Sequence, residues 1–314
     1  MKPVMSEDLS GAYGALKREF CLLVDEPMAC HTSFKVGGPA DLFFAPETKE
    51  ELVRGIARAK CLGVPVTLMG CGTNLLVKDG GIRGLVVTTK RMNKTLTITV
   101  ADDGQQFVTA SSGVILAALA RFVMDRGFEG FTFCAGIPGT VGGAIMMNAG
   151  TNLGTISDVL VSLELVAADG RVMGVDRSEL DFFHRRTSFN GLGPCVYVLG
   201  ARFRVKPGDK QKIRDRWLCL LENRRSSQPG SMASAGCFFK NPDNGMPAGQ
   251  LIDRAGLKGK QFGNAMVSTI HGNFIVNCGG ATALEILTLK QMVEDEVKMK
   301  FNVDLKPEVK IEGE

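Results

Sequence analysis

The stretch Ala135-Gly-Ile-Pro-Gly-Thr-Val-Gly-Gly-Ala144 carries four glycines and no charged residue, and Met146-Met-Asn-Ala-Gly150 follows it. Because glycine has no Cβ atom, its backbone can come close to a ligand. A loop of bare amides favours contact with a large, flat ligand that forms several hydrogen bonds. A string of tight turns is the structural alternative. The uncharged run extends over 131–157, but its glycines, proline and polar residues argue against a membrane span.

The composition is that of a globular protein with extra glycine. The chain has 314 residues, of which 22% are charged. Its 38 glycines are about 12% of the chain, against a usual level of about 7%. The net charge of +4 is too small to indicate a nucleic-acid binder and leaves room for an anionic small molecule. The N-terminus lacks the apolar core of a signal peptide, so we expect a cytoplasmic protein without nucleic-acid or membrane partners.

Cysteine and histidine are not spaced as metal ligands. The nine cysteines are scattered and include no Cys-x-x-Cys pair, which argues against a zinc site or a disulfide framework. The three histidines lie far apart and form no His-Glu-x-x-His motif. We therefore predict no metal site, and free thiols in a reducing compartment.

Hydrophobic patterning predicts a mixed α/β chain. Val159–Ala167 and Arg171–Val175 alternate as strands, and the Asp-Gly pair between them is typical of a hairpin turn. A helical stripe of Ile286, Leu289, Val293 and Val297 predicts a packed C-terminal helix. The polar segment Lys206–Lys212 is predicted to be a linker, and Leu305–Lys310 a strand.

A second glycine motif follows the predicted buried strand Val64–Met69. The sequence Gly70-Cys-Gly-Thr-Asn-Leu-Leu76 is not a dinucleotide-binding fingerprint, because Leu75 stands where that motif needs glycine or alanine. Its glycines still allow backbone N–H groups to approach an anion, and Thr73 and Asn74 add donors. A plain turn is the alternative.

Three further segments carry candidate chemistry. The Arg185-Arg186 pair suits phosphate or carboxylate recognition, since a guanidinium group binds either as a fork; a solvated basic turn explains it equally well. Cys237 lies in a run of small residues, where an inert core cysteine is the alternative. Glu308 is the single acid of the C-terminal strand pattern, and a surface position is its structural alternative.

Together these segments resemble the UDP-N-acetylenolpyruvoylglucosamine reductases. The similarity extends over residues 31–312 and keeps the order of the motifs. It begins at His31-Thr-Ser-Phe-Lys-Val-Gly-Gly-Pro-Ala40 and includes Ala248–Gly259 and His271–Asn277. The chain looks like the compact subtype, which lacks a tyrosine-bearing loop.

The resemblance implies an α+β (mixed α/β) fold. A two-part FAD-binding region of the vanillyl-alcohol-oxidase type would precede a C-terminal α/β substrate-binding domain. The implied boundaries are 1–90 and 91–207 for the two FAD-binding subdomains, 208–303 for the substrate-binding domain and 304–314 for a segment that carries Glu308.

The resemblance also implies the activity and its residues. FAD would be bound non-covalently, and NADPH would reduce UDP-N-acetylglucosamine enolpyruvate to UDP-N-acetylmuramate through it, in peptidoglycan precursor synthesis. Hydride would come from flavin N5 and a proton from Cys237, where the family more often has serine. Arg186 and Glu308 would be the other catalytic residues, although Arg185 stands where the family usually has tyrosine.

The implied binding residues fall into two groups. The cofactor-binding residues would be Gly70, Cys71, Gly72, Thr73, Asn74, Leu75, Gly136, Ile137, Pro138, Gly139, Thr140, Gly142, Gly143 and Ala144. Lys240, Asn241 and Gln250 would bind the UDP-sugar. The alternatives are another FAD oxidoreductase of the same superfamily, acting on a small hydroxy acid or alcohol, and a non-catalytic flavin or nucleotide binder. The sequence does not indicate the oligomeric state.

Overall fold

A computed structural model describes residues 7–189, 196–230, 232–243 and 245–314, which form two compact units. The first unit comprises the residues through Val24, then Leu42–Cys71 and Gly84–Glu222. The second comprises Asp25–Asp41, Gly72–Arg83 and Asn223–Glu314. The chain therefore passes between the units more than once.

The described residues alternate between helices and strands, as the hydrophobic patterning predicts. The α-helices are α1 (Glu7–Glu19), α2 (Lys49–Cys61), α3 (Leu116–Asp125), α4 (Val141–Met146), α5 (Ile156–Val159), α6 (Lys210–Ser227), α7 (Ala248–Arg254) and α8 (Ala283–Phe301). The strands are β1 (Leu22–Pro27), β2 (Pro39–Phe44), β3 (Val66–Met69), β4 (Leu75–Val77), β5 (Ile82–Thr88), β6 (Leu96–Val100), β7 (Gln106–Ser111), β8 (Phe128–Glu129), β9 (Gly150–Thr151), β10 (Gly154–Thr155), β11 (Leu160–Ala167), β12 (Val172–Asp176), β13 (Leu180–Phe183), β14 (Arg186–Phe189), β15 (Val196–Pro207), β16 (Gln261–Phe262), β17 (Ala265–Val267), β18 (Ile275–Asn277) and β19 (Lys310–Glu312).

The larger sheet of the first unit has the strand order β12-β11-β15-β7-β6, with β8 also paired to β15. Its pairings are antiparallel, and Leu163 opposite Val175 confirms the predicted hairpin. Leu119 of α3 and Ile145 of α4 lie in one buried cluster with Phe203 of β15. Packing of these two helices with the sheet positions the glycine-rich segment 136–144, because this segment precedes α4 and continues into it from Val141.

A smaller sheet has the strand order β1-β2-β5-β3. Strands β3 and β5 run parallel, with Val66 opposite Leu85. Leu52 and Ile56 of α2 are fully buried, in a cluster with Leu85 and Val87. This packing holds the end of β3, from which the motif at Gly70 continues.

The second unit is built around α8. Its predicted stripe is confirmed: Ile286, Leu289, Val293 and Val297 are all fully buried. The carboxylate of Asp79 accepts hydrogen bonds from the first N–H groups of α8, at Ala283 and Leu284 (both 2.8 Å). A carboxylate at this end is favourable, since the N-terminus of a helix carries partial positive charge.

Two sequence predictions about the C-terminal part are wrong in detail. Lys206–Lys212 is not a free linker, because β15 continues to Pro207 and α6 begins at Lys210. The C-terminal strand begins at Lys310 rather than Leu305, since the segment before it forms a single bridge between Pro307 and Phe239. Polar composition at 206–212 reflects the exposed start of α6.

No helix in the described ranges is long and apolar enough to cross a membrane. The same residues contain no cluster of three histidine, cysteine or acidic side chains that could hold a metal ion. The eight cysteines among them form no disulfide, and Cys195 lies outside the described residues.

Candidate active site

The two glycine-bearing segments of the first unit meet at Thr140. This residue caps α4, since its Oγ1 accepts a hydrogen bond from the Gly143 N–H group (3.3 Å). A Cβ atom at Gly70 would overlap the same Oγ1. The structure therefore brings Gly70 together with the loop 136–144, two of the segments predicted to bind the cofactor.

Bare backbone is exposed along that loop. Gly136 is exposed and has a positive φ of 72°. Gly143 is exposed as well. At Gly142 the packing is tight instead, because a Cβ atom would lie 2.9 Å from Ser112 Cβ. The segment thus exposes uncharged backbone at Gly136 and Gly143, which a flat ring system could contact.

Ser112 is a neighbour of this loop that the sequence analysis missed. Its carbonyl oxygen accepts a hydrogen bond from the Gly142 N–H group (2.9 Å). Its side chain is 1% exposed, and the hydroxyl has no hydrogen-bond partner among the described residues. The one sequence signal is a small Ser-Ser-Gly segment after β7, which is weak by itself.

Positive charge lies near the other glycine segment. Burial raises the pKa of the half-buried Cys71 thiol, and the charges of Lys90 and Lys94 oppose that rise. Both lysines are exposed. They provide an attractive field for an anion at Gly70 and Cys71. No motif in the sequence pointed to them, because they follow β5 rather than the glycines.

The rest of that motif belongs to the second unit. Gly72 accepts a hydrogen bond at its carbonyl oxygen from Ser33 N–H (3.1 Å), and Leu75 is buried in β4, which pairs with β19. Thr73 is half-buried. The Asn74 side-chain amide donates to the Glu308 carbonyl oxygen (3.1 Å). Asn74 thus helps to hold the segment that carries a predicted catalytic residue.

Arg186 lies at the end of a short hairpin in the first unit. Strands β13 and β14 pair with Phe183 opposite Arg186, so that His184 and Arg185 form a two-residue turn. The two arginines differ. Arg186 is exposed, with its guanidinium carbon 4.8 Å from the centre of the Phe183 ring. Arg185 has a positive φ of 60° and donates from Nη1 to the Gly150 carbonyl oxygen (2.8 Å).

Cys237 and Glu308 lie on neighbouring segments of the second unit. The N–H group of Glu308 donates to the carbonyl oxygen of Phe238 (2.8 Å), the residue after Cys237. Phe239 then forms a bridge with Pro307. Both candidate catalytic side chains are half-buried. The structure thus brings the Cys237 and Glu308 segments together along paired backbones, although 71 positions separate these residues in the sequence.

Asn273 is a second residue that the sequence analysis did not single out. Its side chain binds both backbone groups of Phe239, accepting from the N–H group (2.9 Å) and donating to the carbonyl oxygen (2.8 Å). Its own carbonyl oxygen accepts from Phe238 N–H (2.7 Å). Asn273 is 3% exposed. It therefore holds the Cys237 segment from the side away from the bond to Glu308.

His271 lies next to Asn273 and is hydrogen-bonded to its backbone. Its Nδ1 accepts a hydrogen bond from the Asn273 N–H group (3.1 Å), so in the neutral ring the proton is on Nε2. Burial lowers the pKa of His271, and the charge of Lys258 lowers it further. The folded protein therefore favours the neutral form of the His271 ring.

The predicted substrate-binding residues also lie in the second unit. Lys240 is half-buried and joined through its N–H group to the Lys306 carbonyl oxygen (2.8 Å). Asn241 is exposed, and its Oδ1 accepts from the first N–H group of α7, at Ala248 (3.0 Å). Gln250 is exposed on α7.

Comparison with known proteins identifies the family. Residues 228–312 match the family model described as the C-terminal domain of UDP-N-acetylenolpyruvoylglucosamine reductase, and residues 40–176 match an FAD binding domain. The reductase of Desulfosudis oleivorans is 44% identical over 92% of this chain and 94% of its own length. That of Geobacter metallireducens is 42% identical over 93% and 94%. The chain belongs to the UDP-N-acetylenolpyruvoylglucosamine reductase family.

A solved structure agrees with this assignment. The crystal structure of UDP-N-acetylenolpyruvylglucosamine reductase from Thermus caldophilus superposes with a TM-score of 0.76 and 34% identity, covering 93% of this chain and 99% of that one. The predicted fold class is confirmed, an FAD-binding region followed by the family's C-terminal domain. So is the predicted class of enzyme, an oxidoreductase of peptidoglycan precursor synthesis with FAD as cofactor.

Proposed function

We propose that this chain reduces UDP-N-acetylglucosamine enolpyruvate to UDP-N-acetylmuramate at the expense of NADPH. The observation that carries the proposal is the backbone pairing of the Cys237 and Glu308 segments in a member of this reductase family. This pairing supports the proposal because it brings two half-buried residues, one with a thiol and one with a carboxyl group, onto neighbouring segments. A protein that only bound a nucleotide would have no use for that pair.

FAD fits the residues of the first unit. The exposed, uncharged backbone at Gly136 and Gly143 suits contact with a flat ring. Lys90 and Lys94 supply positive charge for phosphate groups near Gly70 and Cys71. We propose that these residues and the loop 136–144 hold the cofactor.

The reaction then divides between cofactor and protein. When bound, FAD would supply the hydride-transfer chemistry between NADPH and the enolpyruvyl group. The residues of the protein stabilise the negative charge that develops on the substrate and supply the proton. Arg186 binds the substrate carboxylate, on which negative charge develops, through its fork of N–H donors.

Cys237 supplies the proton that the inner carbon needs. A thiol has an ordinary pKa of about 8.5, so it is a far stronger acid than a serine hydroxyl. Together with Arg186, Glu308 holds and polarises the substrate carboxyl group. Lys240, Asn241 and Gln250 bind the UDP-sugar part of the substrate.

The domain roles follow from the same proposal. Residues 1–90 and 91–207 form the two FAD-binding subdomains, 208–303 the substrate-binding domain, and 304–314 the segment that returns with Glu308. The matches at 40–176 and 228–312 support this division. Action in the cytoplasm remains a prediction from the sequence.

A half-reaction experiment tests the activity. NADPH should bleach the flavin absorption of the purified protein under anaerobic conditions, and added UDP-N-acetylglucosamine enolpyruvate should restore it. UDP-N-acetylglucosamine, which lacks the enolpyruvyl group, is the matched control and should leave the flavin reduced. A protein that stays colourless after incubation with FAD would contradict every flavin-based function. Reduction of the flavin by a small hydroxy acid would favour the alternative oxidoreductase.

A further inference from the structure

Phe183 is an apolar side chain with an exposure that packing does not explain. It is 48% exposed at the end of β13. The Arg186 guanidinium carbon lies 4.8 Å from the centre of its ring. The two residues face each other across a two-residue turn, which is the arrangement in which cross-strand side chains interact most directly.

The backbone of Phe183 is anchored to the glycine-rich region. Asn148 donates from Nδ2 to the Phe183 carbonyl oxygen (3.3 Å), and its Oδ1 accepts from the Ser157 N–H group (3.1 Å). Asn148 is 7% exposed. Within the turn, Arg185 donates to the Gly150 carbonyl oxygen. The ring of Phe183 is thus set on a firmly held backbone, whereas Arg186 is a long side chain near solvent.

We propose that Phe183 is a positioning residue for Arg186, an inference that rests on the proposed function. The negative face of an aromatic ring attracts a guanidinium group within about 6 Å of its centre. That contact uses the face of the guanidinium plane and leaves its N–H edges for a carboxylate. The ring therefore holds the guanidinium group in one orientation before substrate arrives, so that less freedom is lost on binding.

Substitution at position 183 separates this role from simple packing. In Phe183→Leu, the rate at which enolpyruvyl substrate reoxidises the flavin should fall about three- to thirtyfold, in line with the strength of such contacts. Phe183→Tyr keeps the ring face and should stay within about twofold of the parent. Reduction of the flavin by NADPH should be unchanged in both, because that step does not involve the substrate carboxylate.

The same hairpin offers a matched control. Arg177 lies over the ring of Phe182 at 5.3 Å, but Arg177 has no role in the proposed reaction. Phe182→Leu should therefore leave the reoxidation rate close to that of the parent, even if it lowers the melting temperature. A fall as large as that of Phe183→Leu would show that any damage to the hairpin slows the reaction, and would overturn the proposal.

A double variant tests whether Phe183 acts through Arg186. With Arg186→Gln already present, Phe183→Leu should cause no further loss of rate. An equal fractional loss in both backgrounds would overturn the positioning role. In the parent, the ring should also shift the Arg186 side-chain proton resonances upfield, and the shift should vanish in Phe183→Leu; its absence from the parent would likewise contradict the proposal.

These outcomes are distinct from a failure of the proposed function. If the parent enzyme, reduced by NADPH, is not reoxidised by the enolpyruvyl substrate, the proposed function is overturned, and the positioning role of Phe183 is overturned with it. If the parent is reoxidised and Phe183→Leu reacts at the parent rate, only the positioning role is overturned.

Discussion

The Arg186 hairpin and the Cys237 segment, the two regions that carry candidate catalytic groups, are supported in different ways. The hairpin is attached by side chains: Asn148 donates to Phe183, Arg185 to Gly150, and Thr187 Oγ1 to the Ile145 carbonyl oxygen (2.5 Å). The Cys237 segment is attached through its backbone, with Phe238 and Phe239 almost completely buried behind it.

This difference indicates where each region is vulnerable. A single substitution can remove one attachment of the hairpin without opening the core. At the Cys237 segment, the side chain of Cys237 can change while the backbone stays in place. Loss of the Asn273 side chain, however, leaves the buried N–H and carbonyl groups of Phe239 without a hydrogen-bond partner. Kinetic effects should therefore dominate at the hairpin, and stability effects at the residues behind Cys237.

The largest effect is expected from Cys237→Ala. Removing the proton donor should slow flavin reoxidation by substrate about 10²- to 10⁴-fold, the usual range for general acid catalysis. Reduction by NADPH should be nearly unchanged, as measured by stopped-flow absorbance. Cys237→Ser is the control and should keep much of the rate, since serine is the commoner residue in the family. Equal losses in both half-reactions would remove Cys237 from this role.

The two arginines of the hairpin come next. Arg186→Ala should lower the rate of substrate reduction roughly 10²- to 10³-fold, because it removes a charge that stabilises the transition state. Arg185→Ala should have a smaller effect on the rate and a larger effect on the melting temperature, since its guanidinium group holds Gly150. The opposite ranking of the rates would identify Arg185 as the catalytic arginine.

Substitutions at Asn273 and Thr187 compare how much the side chains that hold the two regions contribute to the free energy of unfolding. Asn273→Ala should lower the free energy of unfolding by about 2–4 kcal/mol, because it leaves the buried N–H and carbonyl groups of Phe239 without their partner. Thr187→Val, which removes one bond from the hairpin, should cost only about 1 kcal/mol. Urea unfolding of both variants checks this. Similar values for the two would contradict the proposed difference between the regions.

The smallest effect concerns pH. Since burial lowers the pKa of His271, the folded protein binds this proton less readily than the unfolded chain. Its contribution to stability is present above the ordinary histidine pKa of about 6.5 and is lost as the pH falls through the lowered folded value. His271→Gln should therefore show a smaller fall in melting temperature on acidification than the parent. The exposed His184→Gln is the control, and an unchanged acid response of His271→Gln would refute the prediction.

Local patterns predicted much of the secondary structure. The α8 stripe and the hairpin of β11 and β12 follow from apolar spacing, because each element buries one face. The polar composition of 206–212 led to a wrong prediction of a linker, because the exposed first turn of α6 has the same composition. The alternating side chains of Leu305–Lys310 predicted a strand, but the segment forms only one bridge and the start of β19.

The candidate site was predicted in part. Motifs pointed to Gly70, the loop 136–144, Arg186 and Cys237, because unusual residue types stand out in a sequence. Their supports did not stand out. Asn273 and Phe183 are ordinary residues whose importance lies in what they contact, and Ser112, Lys90 and Lys94 approach the glycine segments from other elements.

By itself, the sequence determined the mixed α/β class, the glycine-bearing loops and the family to which the chain belongs. Only the tertiary structure decided which partners hold the site. Asn74 reaches Glu308 across 234 positions, and Asn273 reaches Phe239 across 34. Such bonds leave no periodic trace, because hydrophobic spacing reports which face of an element is buried and not which distant backbone group a side chain will meet.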